Sequence, residues 1–152
     1  HSDSSAASDV YKRQEQDNPS LDSHGLGKDP RIVILSSKPL SSSLKVSKKN
    51  PIIFQKLNEK LPENNIKIVL DNLFKENVQS LLVEGGEKTI TSFINSGYFD
   101  EIQEYISPKN FNKGIPFYNG NFEKVRSSLE VVSKISFSND KKITYKKKCL
   151  QD

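Results

Sequence analysis

The sequence predicts an α/β fold of three layers, a mixed and mostly parallel central sheet flanked by helices. Three observations point there. The run Ser80-Leu81-Leu82-Val83-Glu84 is a short continuous apolar segment, as expected for a strand covered on both faces, and Gly85-Gly86 follow it directly. Beyond the glycines, Ile90, Phe93 and Ile94 recur at i, i+3 and i+4, the stripe of a helix that packs back on a sheet. Upstream, Arg31-Ile32-Val33-Ile34-Leu35 and Pro51-Ile52-Ile53-Phe54-Gln55 are β-branched runs, and a helix-period segment precedes the apolar strand.

In chain order, His1–Gln14 is polar, serine-rich and without periodicity, and reads as a disordered or non-native extension to be left out of fold reasoning. The folded domain is expected from 15 to 148, with 149–152 a tail. Asp17-Asn18-Pro19-Ser20-Leu21 is turn chemistry, because Asx side chains bond back to the backbone and proline fixes φ. Ser36-Ser37-Lys38-Pro39 stops the first strand, and residues 40–49 form a serine- and lysine-rich surface excursion. Ile66, Val69, Leu70, Leu73 and Phe74 predict an amphipathic helix near 66–76 with all five in the core. Gly97 stands where a left-handed residue ends the following helix. Ile102, Glu104 and Ile106 begin a strand that Pro108 ends, and 111–120 is a long loop. The alternating segments 129–138 and 142–148 around Asn139-Asp140 predict a β-hairpin.

The glycine turn is the chemically suggestive stretch. Glycines let the backbone turn sharply, adopt positive φ and admit a ligand closely. The helix that follows offers unpaired amides and the positive end of its dipole, an anion site suited to phosphate. Glu84 lies at the carboxyl end of the strand, where open α/β sheets bind ligands; a carboxylate there either caps the turn or faces a ligand.

Composition narrows the class. The chain has 152 residues and a formal net charge of +4. Its lysines are dispersed apart from Lys146-Lys147-Lys148, without a basic helical face interleaved with aromatics, so nucleic-acid binding is not expected. The one cysteine, Cys149, gives no disulfide framework and no cysteine-rich metal site. No apolar stretch reaches the roughly 18 residues of a membrane span, and a cytoplasmic enzyme without a metal is the expectation.

Beyond these readings, several blocks carry a resemblance. Leu81-Leu82-Val83-Glu84-Gly85-Gly86, followed by Gly97-Tyr98-Phe99-Asp100-Glu101-Ile102 and Tyr105-Ile106-Ser107-Pro108-Lys109, is similar to the reductase domain of riboflavin biosynthesis. So is Asp17-Asn18-Pro19-Ser20-Leu21 followed by Arg31-Ile32-Val33-Ile34. The likeness covers most of residues 15 to 148. It implies a dihydrofolate-reductase-like fold, and NADPH-dependent reduction of the ribosyl side chain of an aminopyrimidine 5′-phosphate. Lys38, by its charge, would favour NADPH over NADH. By the match, Asp17, Ser36 and the stretch Gly86, Glu87, Lys88, Thr89, Ile90, Thr91 and Ser92 contact the cofactor, while Leu21, His24 and Glu84 contact the substrate. His24 falls where many members carry a phosphate-binding arginine, and an exposed loop histidine is the equal alternative. No general acid is visible, so the catalytic residue is left unassigned. Relatives suggest a homodimer. Arg13 stands where the family has a cofactor-contacting threonine, and the family's opening strand is absent, so an N-terminally truncated domain with weak or no activity is expected. Another reductase of the same fold, or a catalytically silent phosphate-binding remnant, are the alternatives.

Overall fold

The computed structural model describes residues 17–36, 39–55, 62–109 and 113–148. The extension His1–Gln14, Lys38, and Cys149 with the rest of the tail lie outside the described residues. The chain divides into two compact units, His1–Lys60 and Leu61–Asp152.

In the first unit, β1 (Val33–Ser36) pairs in parallel with β2 (Ile52–Gln55), Val33 opposite Ile52 and Ser36 opposite Gln55. Both strands are β-branched and apolar, as a parallel pair requires. Ile32, just ahead of β1, is buried. The excursion between the strands contains a 3₁₀ turn, Lys45–Lys49, anchored by buried Val46 and closed by Asn50 at φ 47°. Its first amide, Lys45 N–H, donates to Asn18 Oδ1 at 2.8 Å, which ties the Asp-Asn-Pro loop to it.

The second unit opens with α1 (Pro62–Lys75), followed by α2 (Glu87–Ser96). The core of α1 is Ile66, Val69 and Leu73, each 3% exposed or less. Phe74, expected in that core, is 80% exposed. At 100° per residue it lies more than a quarter turn away from the stripe through Ile66, Val69 and Leu73, so the core face of the helix excludes it. Phe93 is the buried anchor of α2, and Gly97 at φ 70° ends the helix, its N–H bonded to Ile94 O.

The central-strand expectation for 81–83 is corrected. The segment from Gln79 to Glu84 carries no strand pairing among the described residues, and Leu82 is 76% exposed. A strand exists only through a neighbour that bonds its backbone, and apolar residues cannot supply that neighbour by themselves.

The remaining strands form an antiparallel sheet of order β3-β5-β4: β3 (Glu101–Ile106), β4 (Leu129–Phe137) and β5 (Asp140–Lys147). The predicted hairpin is present with Phe137 opposite Asp140, so Ser138 and Asn139 form the turn, with Ser138 at φ 55°. A bulge falls between Val131 and Ser133. Between β3 and β4 lies a short helix that periodicity did not reveal, α3 (Phe122–Ser127), capped by the Asn121 side chain accepting from Lys124 N–H.

Alternation places Ile102, Glu104 and Ile106 on one sheet face with Tyr145 and Ile143 across from them. Glu104 is shared there. One oxygen accepts from Tyr145 Oη at 2.8 Å, and the other pairs with Arg126 of α3, which also pairs with Glu123. Arg126 lies over the Phe122 ring at 5.0 Å. Chiefly through the Glu104 carboxylate, the Arg126 pKa is raised; burial and then Glu104 raise that of Tyr145. Removing the shared carboxylate leaves a half-buried guanidinium and a buried phenol without their common acceptor. Glu104→Gln is expected to cost about 2 kcal/mol in urea unfolding, and a loss under about 0.5 kcal/mol, the worth of an exposed pair, would contradict the shared role.

Candidate functional site

The turn ahead of α2 is set by one close approach. A Cβ on Gly85 would stand 3.0 Å from Thr89 Cβ, so a larger residue there would need Thr89 to give by a few tenths of an ångström, and glycine lets the first helical turn lie this close to the incoming chain without that shift. Positive φ, expected of the glycine pair, is not used: Gly86 is the N-cap at φ −74°, and Gly85 is not in the left-handed region. Steric room at Gly85, rather than left-handed backbone, is the requirement here.

Gly86 has no side chain with which to cap the helix, and its carbonyl accepts from Thr89 N–H at 3.1 Å and Ile90 N–H at 3.2 Å. The Glu87 and Lys88 amides, the first two of the helix, have no acceptor among the described residues. With the helix dipole behind them they suit an anion. Lys88 is exposed and adds a cation; Glu87 sits in the same turn, where it favours the helix and opposes a phosphate. Glu84 is exposed two residues before the N-cap, with no hydrogen bond or ion pair among the described residues.

Further along α2 the polar side chains are engaged. Ser92 Oγ donates back to Lys88 O at 2.9 Å. Thr91 Oγ1 accepts from Asn119 N–H at 2.9 Å and keeps its own proton to donate. With Tyr118 Oη donating to Asn95 Oδ1 at 2.9 Å, these bonds fasten the 113–121 loop along the helix. Ile90 is half-buried. The residues from Gly86 to Lys88 therefore fit a dinucleotide phosphate through backbone donors, whereas Thr91 and Ser92 already hold protein partners. Sequence reasoning missed the fastening of the loop, since a side chain accepting from a distant amide leaves no local pattern.

The loop from Asp17 to Asp29 in the first unit carries three further candidates. Asn18, Leu21 and His24 all adopt left-handed backbone, at φ 39°, 47° and 49°. For Leu21, 43% exposed, this is a strained conformation without a local side-chain bond to compensate it. Asp22 Oδ1 accepts from His24 N–H at 3.1 Å and lies 3.1 Å from His24 Nδ1, leaving Nε2 outward on a side chain 84% exposed. The Asp22 carboxyl is held below its ordinary range by the Ser20 hydroxyl first and by the His24 amide second. Asp29 closes the loop: it accepts from Ser23 N–H at 3.0 Å and from Lys49 Nζ at 3.0 Å, while Ser23 Oγ donates to Gly27 O at 2.7 Å. Asp17 is exposed, and Ser36 is the last residue of β1. Among the described residues no group of three His, Cys, Asp or Glu could hold a metal, and no helix is long and apolar enough to cross a membrane.

The fold is that of a dihydrofolate-reductase-like α/β domain, and solved structures share it. A deaminase and 5-amino-6-(5-phosphoribosylamino)uracil reductase from Thermotoga maritima aligns with TM-score 0.71 at 22% identity, over 90% of this chain and 43% of its own. RibD of Acinetobacter baumannii aligns with TM-score 0.71 at 17% identity, over 91% and 45%. A sequence relative, the riboflavin biosynthesis protein RibD of Aquifex aeolicus, is 32% identical over 117 residues, which is 70% of this chain and 33% of that protein. The family model of the RibD C-terminal domain matches residues 7–140, and the chain belongs to that family. It spans about a third of the length of the curated relative it matches.

The Asp29 contacts make a prediction about the loop. Its amide and lysine donors, the Ser23 N–H foremost, lower its pKa from 3.8 to about 2. A depressed carboxyl stabilises the loop at pH values above its unfolded 3.8, and that contribution disappears as pH falls through about 2. The Ser23 amide resonance should titrate with a midpoint near 2, and a midpoint at the ordinary 3.8 would show that the bonds do not form.

Proposed function

We propose that this domain reduces the ribosyl side chain of a (di)aminopyrimidine 5′-phosphate to the ribityl form in riboflavin biosynthesis, with NADPH as reductant. Membership of the RibD C-terminal domain family supports the pathway and reaction class. The observation that carries the cofactor reading is the uncapped start of α2, with the Glu87 and Lys88 amides unengaged beside exposed Lys88.

In this reading the dinucleotide, when bound, would supply hydride to C1′ of the ring-opened, imine-like ribose, and the accompanying proton would come from solvent. The chain's own residues bind and orient. Gly86, Glu87 and Lys88 offer backbone donors to a phosphate, and Thr89, Ile90, Thr91 and Ser92 form the helical wall behind them, with Thr91 holding the 113–121 loop. Asp17 and Ser36 belong to the cofactor side. Glu84, free of protein partners among the described residues, accepts from sugar hydroxyls. By the family resemblance Leu21, whose apolar side chain is exposed, contacts the substrate. His24, with Nδ1 at Asp22 and Nε2 outward, donates to the substrate phosphate when protonated. Orientation and exclusion of water carry most of such a reaction, which explains why no general acid needs to be identified. The domain acts in the cytoplasm as a homodimer; exposed Val131, Ile135 and Phe137 on β4 support self-association.

A second reading, phosphate binding without turnover, is favoured by the unpaired 79–84 segment and the exposure of Leu82. The two separate in one assay that follows loss of reduced nicotinamide absorbance on adding the pyrimidine phosphate. Active protein consumes cofactor; a silent one binds it and leaves it intact. Glu84→Ala should lower turnover roughly 100-fold with an unchanged melting curve, because Glu84 serves position rather than packing. Wild-type turnover in that variant would remove Glu84 from the substrate site.

A further inference from the structure

A ligand-sized hollow lies at the opposite end of α2 from the glycine turn. It holds about 500 Å³ and is lined in part by Asn95, Phe99, Tyr118, Lys124, Lys147 and Lys148. Eight residues separate Gly86 from Ile94, which also lines it, so at 1.5 Å per residue it is roughly 12 Å along the helix from the proposed phosphate amides. It is therefore a different site.

Its charge has one sign. Three lysines line it, and no carboxylate does so among the described residues. Two of the lysines also serve the helix ends: Lys147 Nζ donates to Gly97 O, and Lys148 Nζ donates to Ser127 O at 3.1 Å. Those bonds cover the carbonyl ends of α2 and α3, which would otherwise repel an anion, and leave each ammonium two further donors. Lys124 Nζ has no partner at all among the described residues. Asn95 accepts from Tyr118 through Oδ1, and its amide nitrogen has no partner among the described residues.

The walls are flat and apolar. Phe99 carries Lys147 over its ring at 4.7 Å, and Tyr118 is held in one orientation by its bond to Asn95 and by its packing on Gly120, where a Cβ would come within 2.7 Å of the ring. An isolated inorganic anion would gain nothing from these faces, and a neutral ring would gain nothing from the lysines. We infer that the hollow binds a small anion borne on a planar ring, with the anion among Lys124, Lys147 and Lys148 and the ring against Tyr118 and Phe99.

The test titrates phenyl phosphate into the full chain and follows amide resonances, with inorganic phosphate and phenol as partial ligands. Phenyl phosphate should move the Asn95, Tyr118 and Lys148 signals whether or not a phosphate also shifts Gly86 to Lys88, and followed at Asn95, Tyr118 and Lys148 it should bind at least about tenfold more tightly than either partial ligand. Lys124→Gln should weaken binding about fivefold without altering the melting curve, since that ammonium bonds to no group among the described residues. Equal affinity for inorganic phosphate, an unaffected Lys124→Gln variant, or shifts confined to Gly85–Lys88 would each overturn the assignment. None of these outcomes depends on whether the domain turns over a pyrimidine.

Discussion

The distance between Gly85 and Thr89 governs the rest of the proposed chemistry. A Cβ at Gly85 would come to 3.0 Å from the threonine Cβ, a contact so tight that a side chain there would require Thr89 to give by a few tenths of an ångström. The exposed carboxylate of Glu84 and the unengaged amides of Glu87 and Lys88 lie within four residues of each other on either side of this turn. A hydroxyl-accepting anion and a phosphate-accepting helix start are thereby presented side by side, the combination a sugar phosphate and a dinucleotide both need.

Such an arrangement is useful only on a rigid support. In the second unit the support is built from long-range polar bonds. Glu104 joins β3 to Tyr145 of β5 and to Arg126 of α3, and Arg126 in turn covers the Phe122 ring. Phe122 meets Phe117 edge-on at 4.8 Å, and Tyr118 and Asn119 of the same loop bond to Asn95 and Thr91 of α2. Sheet, short helix, loop and α2 form one connected series of contacts.

Much of this was legible beforehand. The hairpin announced itself by alternation around Asn139-Asp140, β1 and β2 by β-branching, and the end of α2 by Gly97. What failed did so for identifiable reasons. Leu81, Leu82 and Val83 have the composition of a buried strand, yet a strand is a property of two chains of backbone, and composition describes only one. Phe74 is apolar but rotated off the stripe that α1 buries. The six residues of α3 are too few for a period to show, and the Asn121 cap was the sole local sign of it. At the site, the glycine pair drew notice for the wrong freedom: Gly85 is needed for closeness, and neither glycine uses positive φ. The strained backbone of Leu21 had no sequence signature, since leucine rarely enters that region without tertiary constraint.

The central claim is that phosphate rests on the first amides of α2. Titration of the isotopically labelled chain with 2′-phospho-ADP-ribose, the proposed cofactor without its nicotinamide, tests it most directly. The account predicts the largest amide shifts at Gly86, Glu87 and Lys88, with saturation and with loss of the effect at high salt. Saturable binding that leaves those three resonances unmoved would contradict it.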